Sequence, residues 1–271
     1  MSTSAQPGQE NRAVLEKREG SIATLILNRP ERMNALNKDL AVGLNEALGR
    51  LDADQSVNVV VIAGAGRAFC AGGDLGVIGK GRQENDMTEL DPILRAGMQA
   101  VLKIRTMRQP VIAAVHGPAA GAGMNIALAA DIRIASEDAT FGQNFAKVGL
   151  FPDYGGTFFL PELVGPAKAA ELFYTGDMID AAEALRLGIV NRVVPLAQLE
   201  SEVRGLAQKI ANGPAIAIRA VKRVLLASAK DELTRMLEQE VEQQMKCFPS
   251  EDCGEGIRAF FEKRAPKFQG K

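Results

Sequence analysis

The sequence predicts an α/β fold, and three observations predict it. Apolar runs rich in valine and isoleucine, at 57–62 and 111–115, read as buried strands. Each run is followed by small residues: Ala68-Phe69-Cys70-Ala71-Gly72-Gly73 after the first, Gly117-Pro118-Ala119-Ala120-Gly121-Ala122-Gly123 after the second. Segments of helical length with one apolar face alternate with these strands, an order that suits sheets covered by helices.

Taken in order, Met1 to Asn11 is polar, with neither a basic start nor an apolar stretch, so it reads as a frayed tail rather than a signal peptide. Ser21 to Leu27 is a β-type run ended by Asn28-Arg29-Pro30. Asn37 is a good N-cap, and Leu40, Leu44, Ala47, Leu48 and Leu51 share one face of the helix it would open. Residues 76–91 are glycine-rich and then charged, without periodicity, and predict a mobile loop. Ile93 to Arg108 is helical, with Leu94, Met98, Val101, Leu102 and Arg105 along one side. A short helix over Met124 to Ala130 follows the second glycine run, and Asp131 to Ala135 is the next strand. From about residue 157 the pattern becomes helical. Gly165-Pro166, Asp180 and Gly213-Pro214 each open a helix, and Leu233 to Phe248 is a strong one. No linker separates this part, so the division expected is a core over 12–200 and a helical region over 201–271.

Composition narrows the function. With 271 residues, 46% apolar and 24% charged, the chain is an ordinary globular protein able to bury a large core. A net charge of -1 and no tryptophan argue against a nucleic-acid or membrane-surface role. No apolar run reaches membrane-spanning length. Three cysteines and one histidine make no zinc pattern; Cys70, Cys247 and Cys253 read as reduced thiols of a cytoplasmic protein.

The two glycine-rich turns carry the chemistry. A strand, a small-residue turn and a helix start leave free backbone N–H groups that favour negative charge. Two such donors from two turns are what an oxyanion hole for a thioester carbonyl needs. Their wording resembles the crotonase superfamily, the enoyl-CoA hydratase/isomerase family. The resemblance takes in Leu27-Asn-Arg-Pro30-Glu-Arg-Met-Asn34-Ala-Leu36, Phe141-Gly142-Gln143, Gly149-Leu-Phe-Pro152-Asp153-Tyr-Gly155-Gly156-Thr157 and Ala181-Ala-Glu-Ala-Leu-Arg-Leu-Gly188-Ile-Val190, roughly residues 12 to 268. It implies a spiral of ββα turns with a C-terminal helical region that builds a homotrimer or a hexamer. It implies an acyl-CoA thioester substrate, with coenzyme A entering as part of the substrate and no metal or redox cofactor.

By family position the oxyanion donors would be the N–H groups of Gly73 and Ala122. Arg29, Arg32, Met33 and Ala35 would meet the pantetheine and phosphates; Ala71, Gly72, Asp74 and Leu75 the adenine and thioester; Phe260, Lys263 and Lys267 would help from the C-terminal end. The hydratases of the family carry two glutamates, and those positions here hold Asn125, at most a hydrogen-bonding group, and Phe145, which shapes the pocket. Water addition needs a group to activate water and another to return a proton, and that pair is absent. One carboxylate stands at a family position, Asp153, where dienoyl-CoA isomerases and the ring-epoxide isomerase of phenylacetate breakdown carry an acid. The latter's wording is especially close to Gly-Leu-Phe-Pro-Asp-Tyr-Gly-Gly-Thr. Phe145, Phe151 and Phe158 near it in sequence predict a carboxyl with a raised pKa, able to move one proton between two carbons of an acyl-CoA.

Pro-Asp-x-Gly is also a common turn sequence, so a turn role for Asp153 stays open. Asp74 is expected to fix the oxyanion loop, His116 to make a structural hydrogen bond, and Cys70 to be a small buried residue. The leading expectation is an acyl-CoA isomerase that shifts a double bond or opens a ring epoxide. Its rivals are a hydratase with an atypical site, an enzyme using Asp153 as a nucleophile as the family's aryl-CoA dehalogenase does, and a non-catalytic CoA-binding member.

Overall fold

Valine and isoleucine strands with no polar face must be covered on both sides, and here they are. The computed structural model describes residues 12–227 and 229–271; the tail expected over 1–11 lies outside the described residues. The chain runs β1 (Val14–Glu19), β2 (Ile22–Leu27), α1 (Lys38–Ala53), β3 (Val59–Gly64), α2 (Leu75–Glu84), α3 (Leu90–Thr106), β4 (Val111–Val115), β5 (Ala119–Ala120), α4 (Ala122–Ala129), β6 (Ile132–Ser136) and β7 (Thr140–Gly142). It continues α5 (Gly156–Val164), α6 (Pro166–Thr175), β8 (Met178–Asp180), α7 (Ala181–Arg186), β9 (Arg192–Val194), α8 (Leu196–Ala211), α9 (Ala215–Ala227), α10 (Lys230–Cys247) and α11 (Glu251–Phe261).

The larger sheet has the order β1-β2-β3-β4-β6-β9, antiparallel at β1 and parallel elsewhere. Along β3 alternate residues feed two cores: Val60 and Ile62 one, Val59, Val61 and Ala63 the other. The first core is packed with α1, α3 and α4; the second is closed by Leu199, Val203, Ala207 and Ala211 of α8. The smaller sheet, β5-β7-β8, is extended by parallel bridges that pair Cys70 with Ala119 and Leu36 with Gly73. The chain therefore passes through the large sheet, then the small one, then a helix, and repeats. This is a mixed α/β spiral of ββα turns, as expected.

Several elements differ from the sequence reading. The loop expected over 76–91 is helical through Glu84, because Asp74 caps α2 by accepting the Gly76 N–H. The Arg82 guanidinium also reaches across to the Phe248 carbonyl. Strand β1 was not expected from its charged run of Glu16 to Glu19; it survives as an edge strand zipped to β2. Strands β8 and β9 interrupt the stretch expected to be helical from about 157. Residue 200, the expected boundary, falls inside α8. Asn37 caps α1, with its side chain accepting the Leu40 N–H at 3.0 Å, as expected.

Candidate active site

The two glycine-rich turns lie side by side because their backbones are stitched together. The Cys70 N–H donates to Pro118 O and the Ala120 N–H to Cys70 O, at 3.2 and 3.0 Å. Only glycine fits the closest approach: Gly72 has φ +92, and a Cβ there would meet Ala120 O at 2.8 Å. From this junction two N–H groups are left over. Around the Leu36–Gly73 bridge the donors in use are Leu36 and Asp74, to Gly72 O and Leu36 O, so the Gly73 N–H is free among the described residues. Ala122 is the first residue of α4, where an N–H has no partner within the helix. Both residues line a cavity of about 720 Å³, a size suited to a small-molecule ligand.

Asp153 lines the same cavity and is 6% exposed. Its turn is held from three sides. Asn125 of α4 donates to Asp153 O at 2.7 Å and accepts from Gln143 at 2.6 Å. The Tyr154 ring fills the space over Gly97 in α3, and its hydroxyl donates to Ile93 O at 3.2 Å. From α10, Gln244 donates to Asp153 Oδ2 at 3.0 Å, and Glu240 accepts from the Gly155 and Thr157 N–H groups at 2.6 and 2.9 Å. Asp153 Oδ1 is buried with no hydrogen-bond partner among the described residues. Burial pushes this carboxyl up to about 7; the Gln244 hydrogen bond opposes the rise and the Glu240 charge adds to it. Burial likewise raises Glu240 to about 7, against the stabilising hydrogen bonds from Thr157 and Gly155.

Most residues expected at the site line the cavity: Arg32, Met33, Ala35, Ala71, Gly72, Gly73, Asp74, Leu75, Ala122, Phe145, Asp153, Phe260 and Lys263. Three do not. Arg29 turns its guanidinium onto Asp74 Oδ2 at 3.0 Å and onto Ala35 O, bracing the loop that carries Gly73 instead of facing the cavity. Asn125 is fully buried in its amide network behind the wall. Lys267 sits with Glu255, to whose carboxylate its N–H donates, in a separate surface depression. Asp74 fixes the loop, as its contacts with Arg29 and Gly76 require. His116 Nε2 meets Gly66 O at 2.9 Å, a structural contact, while Cys70 is buried with its thiol pushed up to about 12.

Glu240 and Gln244 were missed by the sequence reading. The signal was present: Leu233, Leu237 and Val241 mark the buried face of α10, and these two polar residues fall on it at 1% exposure each. Among the described residues no group of three or more His, Cys, Asp or Glu side chains is arranged to hold a metal ion, and no helix is long and apolar enough to cross a membrane.

Comparison with known proteins gives the family and the fold. The sequence model of the family described as enoyl-CoA hydratase/isomerase matches residues 17–271. The chain is 38% identical over 259 residues to a crotonyl-CoA hydratase of Syntrophomonas wolfei, covering 95% of this chain and 98% of that protein. It is 35% identical over 265 residues to the 1,2-epoxyphenylacetyl-CoA isomerase of Escherichia coli, covering 95% and 98%. The solved structure of an enoyl-CoA hydratase from Mycobacterium avium subsp. paratuberculosis superposes with a TM-score of 0.87 at 33% identity, covering 95% of this chain and 98% of that one.

Proposed function

The chain belongs to the enoyl-CoA hydratase/isomerase family and is an enzyme, and from that membership we propose that it is an acyl-CoA isomerase with Asp153 as its single acid/base. The observation that carries the reading is Asp153 itself: a buried carboxyl on the cavity wall, with one oxygen unpartnered and a pKa near neutrality. A general base poised near the working pH is the most effective one.

In the reaction, the thioester oxygen of an enoyl-CoA accepts the N–H groups of Gly73 and Ala122. Ionised Asp153 takes a proton from the carbon between the thioester carbonyl and the double bond, made acidic by both. The C–H electron pair moves into the dienolate, and the negative charge gathers on the oxygen held by the two N–H groups. Asp153, now a carboxylic acid, returns the proton to another carbon. The dienolate pair forms the new C–H bond, and the enzyme is regenerated with the double bond shifted. For a ring epoxide the same carboxylate would take the proton α to the thioester, the C–H electron pair would form a double bond as the adjacent epoxide C–O bond breaks, and Asp153 would return the proton to the released oxygen. No separate cofactor is required, because coenzyme A arrives within the substrate.

Arg32, Met33 and Ala35 on one side and Phe260 and Lys263 on the other are the proposed contacts for its pantetheine and phosphates. We further propose a cytoplasmic homotrimer or hexamer; the apolar residues Ile216, Val221, Val224 and Leu225 exposed along α9 support a subunit contact.

A hydratase is the second reading, favoured by the similarity to the crotonyl-CoA hydratase of Syntrophomonas wolfei. Against it stand Asn125 and Phe145, neither able to act as a base. Rates with a 3-enoyl-CoA and with a 2-enoyl-CoA separate the two. The isomerase reading expects rapid appearance of the conjugated thioester from the former and negligible loss of conjugation from the latter. Fast hydration of the 2-enoyl-CoA would favour the second reading.

A further inference from the structure

Two polar side chains of α10 reach the turn that carries Asp153, one helical turn apart. Gln244 is engaged at every polar position. Its Oε1 accepts the Phe151 N–H at 2.9 Å, and its Nε2 donates to Phe151 O at 2.8 Å and to Asp153 Oδ2 at 3.0 Å. An amide side chain has two ends that look alike, and its orientation follows from its partners. Here the partners leave one solution. Turning the amide over would set its NH2 group against the Phe151 N–H and its oxygen against the Phe151 carbonyl. Gln244 therefore acts only as a donor toward Asp153.

A donor fixed in this way has a consequence for the carboxyl. Oδ2 accepts a hydrogen bond whether Asp153 is ionised or neutral, and a hydroxyl oxygen accepts less well than a carbonyl oxygen, so the neutral acid is favoured with its proton on the other oxygen. Oδ1, buried and without a partner among the described residues, is the oxygen that remains.

We infer that Gln244 is a positioning residue for Asp153: it pins Oδ2 as a permanent acceptor and confines the transferable proton to Oδ1. This rests on the acid/base reading of Asp153. One oxygen then both takes and returns the proton, so both transfers occur on one face of the bound acyl chain. The other ionisable groups near the carboxyl do not share this role. Glu240 of α10 is occupied by the Gly155 and Thr157 N–H groups and the Thr157 hydroxyl. Tyr154, beside Asp153 in the turn, commits its hydroxyl to Ile93 O on α3, and on the α4 side the neighbour is the neutral amide Asn125.

The test is the titration of Asp153 in Gln244→Met, followed by carboxyl 13C NMR on the free enzyme and by the pH dependence of kcat/KM. Losing a donor that favours the anion raises the midpoint by about one unit, and the rising limb of kcat/KM moves with it. KM changes less than kcat. Gln244→Glu is the second variant: it keeps an acceptor for the Phe151 N–H but sets a second carboxyl against Oδ2, and it also shifts the midpoint upward. Unmoved midpoints in a folded variant would overturn the inference, as would a loss of activity with an unchanged pH profile. Asp153→Asn separates the two levels. If it stays fully active, the acid/base reading has failed. If it is inactive while the Gln244 variants titrate like the wild type, the positioning role alone has failed.

Discussion

Asp153 holds a proton that an exposed aspartate would have lost. Burial first, and the Glu240 charge behind it, raise it from 3.8 to about 7 against the pull of Gln244. Between those values the folded protein keeps a proton that the unfolded chain has released. The residue therefore favours folding at acid pH, and its contribution is lost as pH rises through about 7. Asp153→Asn, neutral throughout, is expected to melt higher than the wild type at about pH 8, with the difference shrinking toward about pH 5. Parallel melting curves across that range would contradict the buried titration. The same ionisation makes kcat/KM of the wild type rise with pH through about 7. The oxyanion donors are testable at the same scale. Proline is at home in the first position of a helix, so Ala122→Pro deletes one N–H while leaving α4 its start. A fall in kcat of about 10²-fold or more with an unchanged melting temperature is expected. Among single residues, Gly73, Ala122 and Asp153 were legible because short motifs carry them. Arg29 was expected at the ligand from family position alone, whereas the structure turns it onto Asp74, 45 positions away in the chain.

Helices place these groups, and some helices are invisible to local pattern. Glycines at 76, 79 and 81 lower the helix propensity of α2, so the sequence reads as a loop. Its cap at Asp74 and the Arg82 contact with the Phe248 carbonyl restore it, and only the second of these depends on the tertiary fold. The interior face of α10 was legible as apolar, but its two polar residues gain meaning only when the turn at 151–157 is brought against them. Gly97 in α3 shows how tightly that turn is seated, because a Cβ there would enter the Tyr154 ring. Gly97→Ala is expected to cost about 1–3 kcal/mol, read from denaturant midpoints, and to lower kcat by displacing the Asp153 turn. Wild-type stability together with wild-type kcat would show that the turn tolerates a shift there.

Across the whole molecule, the spiral brings β3 and β4, more than forty residues apart in sequence, into register beside each other, and this is what sets the turns of Gly73 and Ala122 at one cavity. Strands β3 and β4 were legible because both of their faces are apolar; the edge strand β1 and the three-residue strands β8 and β9 were not, because pairing rather than composition defines them. The helices after residue 200 are not an appendage, since Glu240 and Gln244 of α10 hold the turn that carries Asp153. The exposed apolar residues of α9 predict assembly: light scattering is expected to give a mass three or six times that of the chain, and a monomer would contradict it. The most direct test of the single-base account is incubation of a 3-enoyl-CoA in heavy water with the wild type and with Asp153→Asn, read by mass spectrometry. The account predicts conversion to the 2-enoyl isomer with deuterium exchange by the wild type, and neither product nor exchange by the folded variant. Full conversion by Asp153→Asn would contradict it.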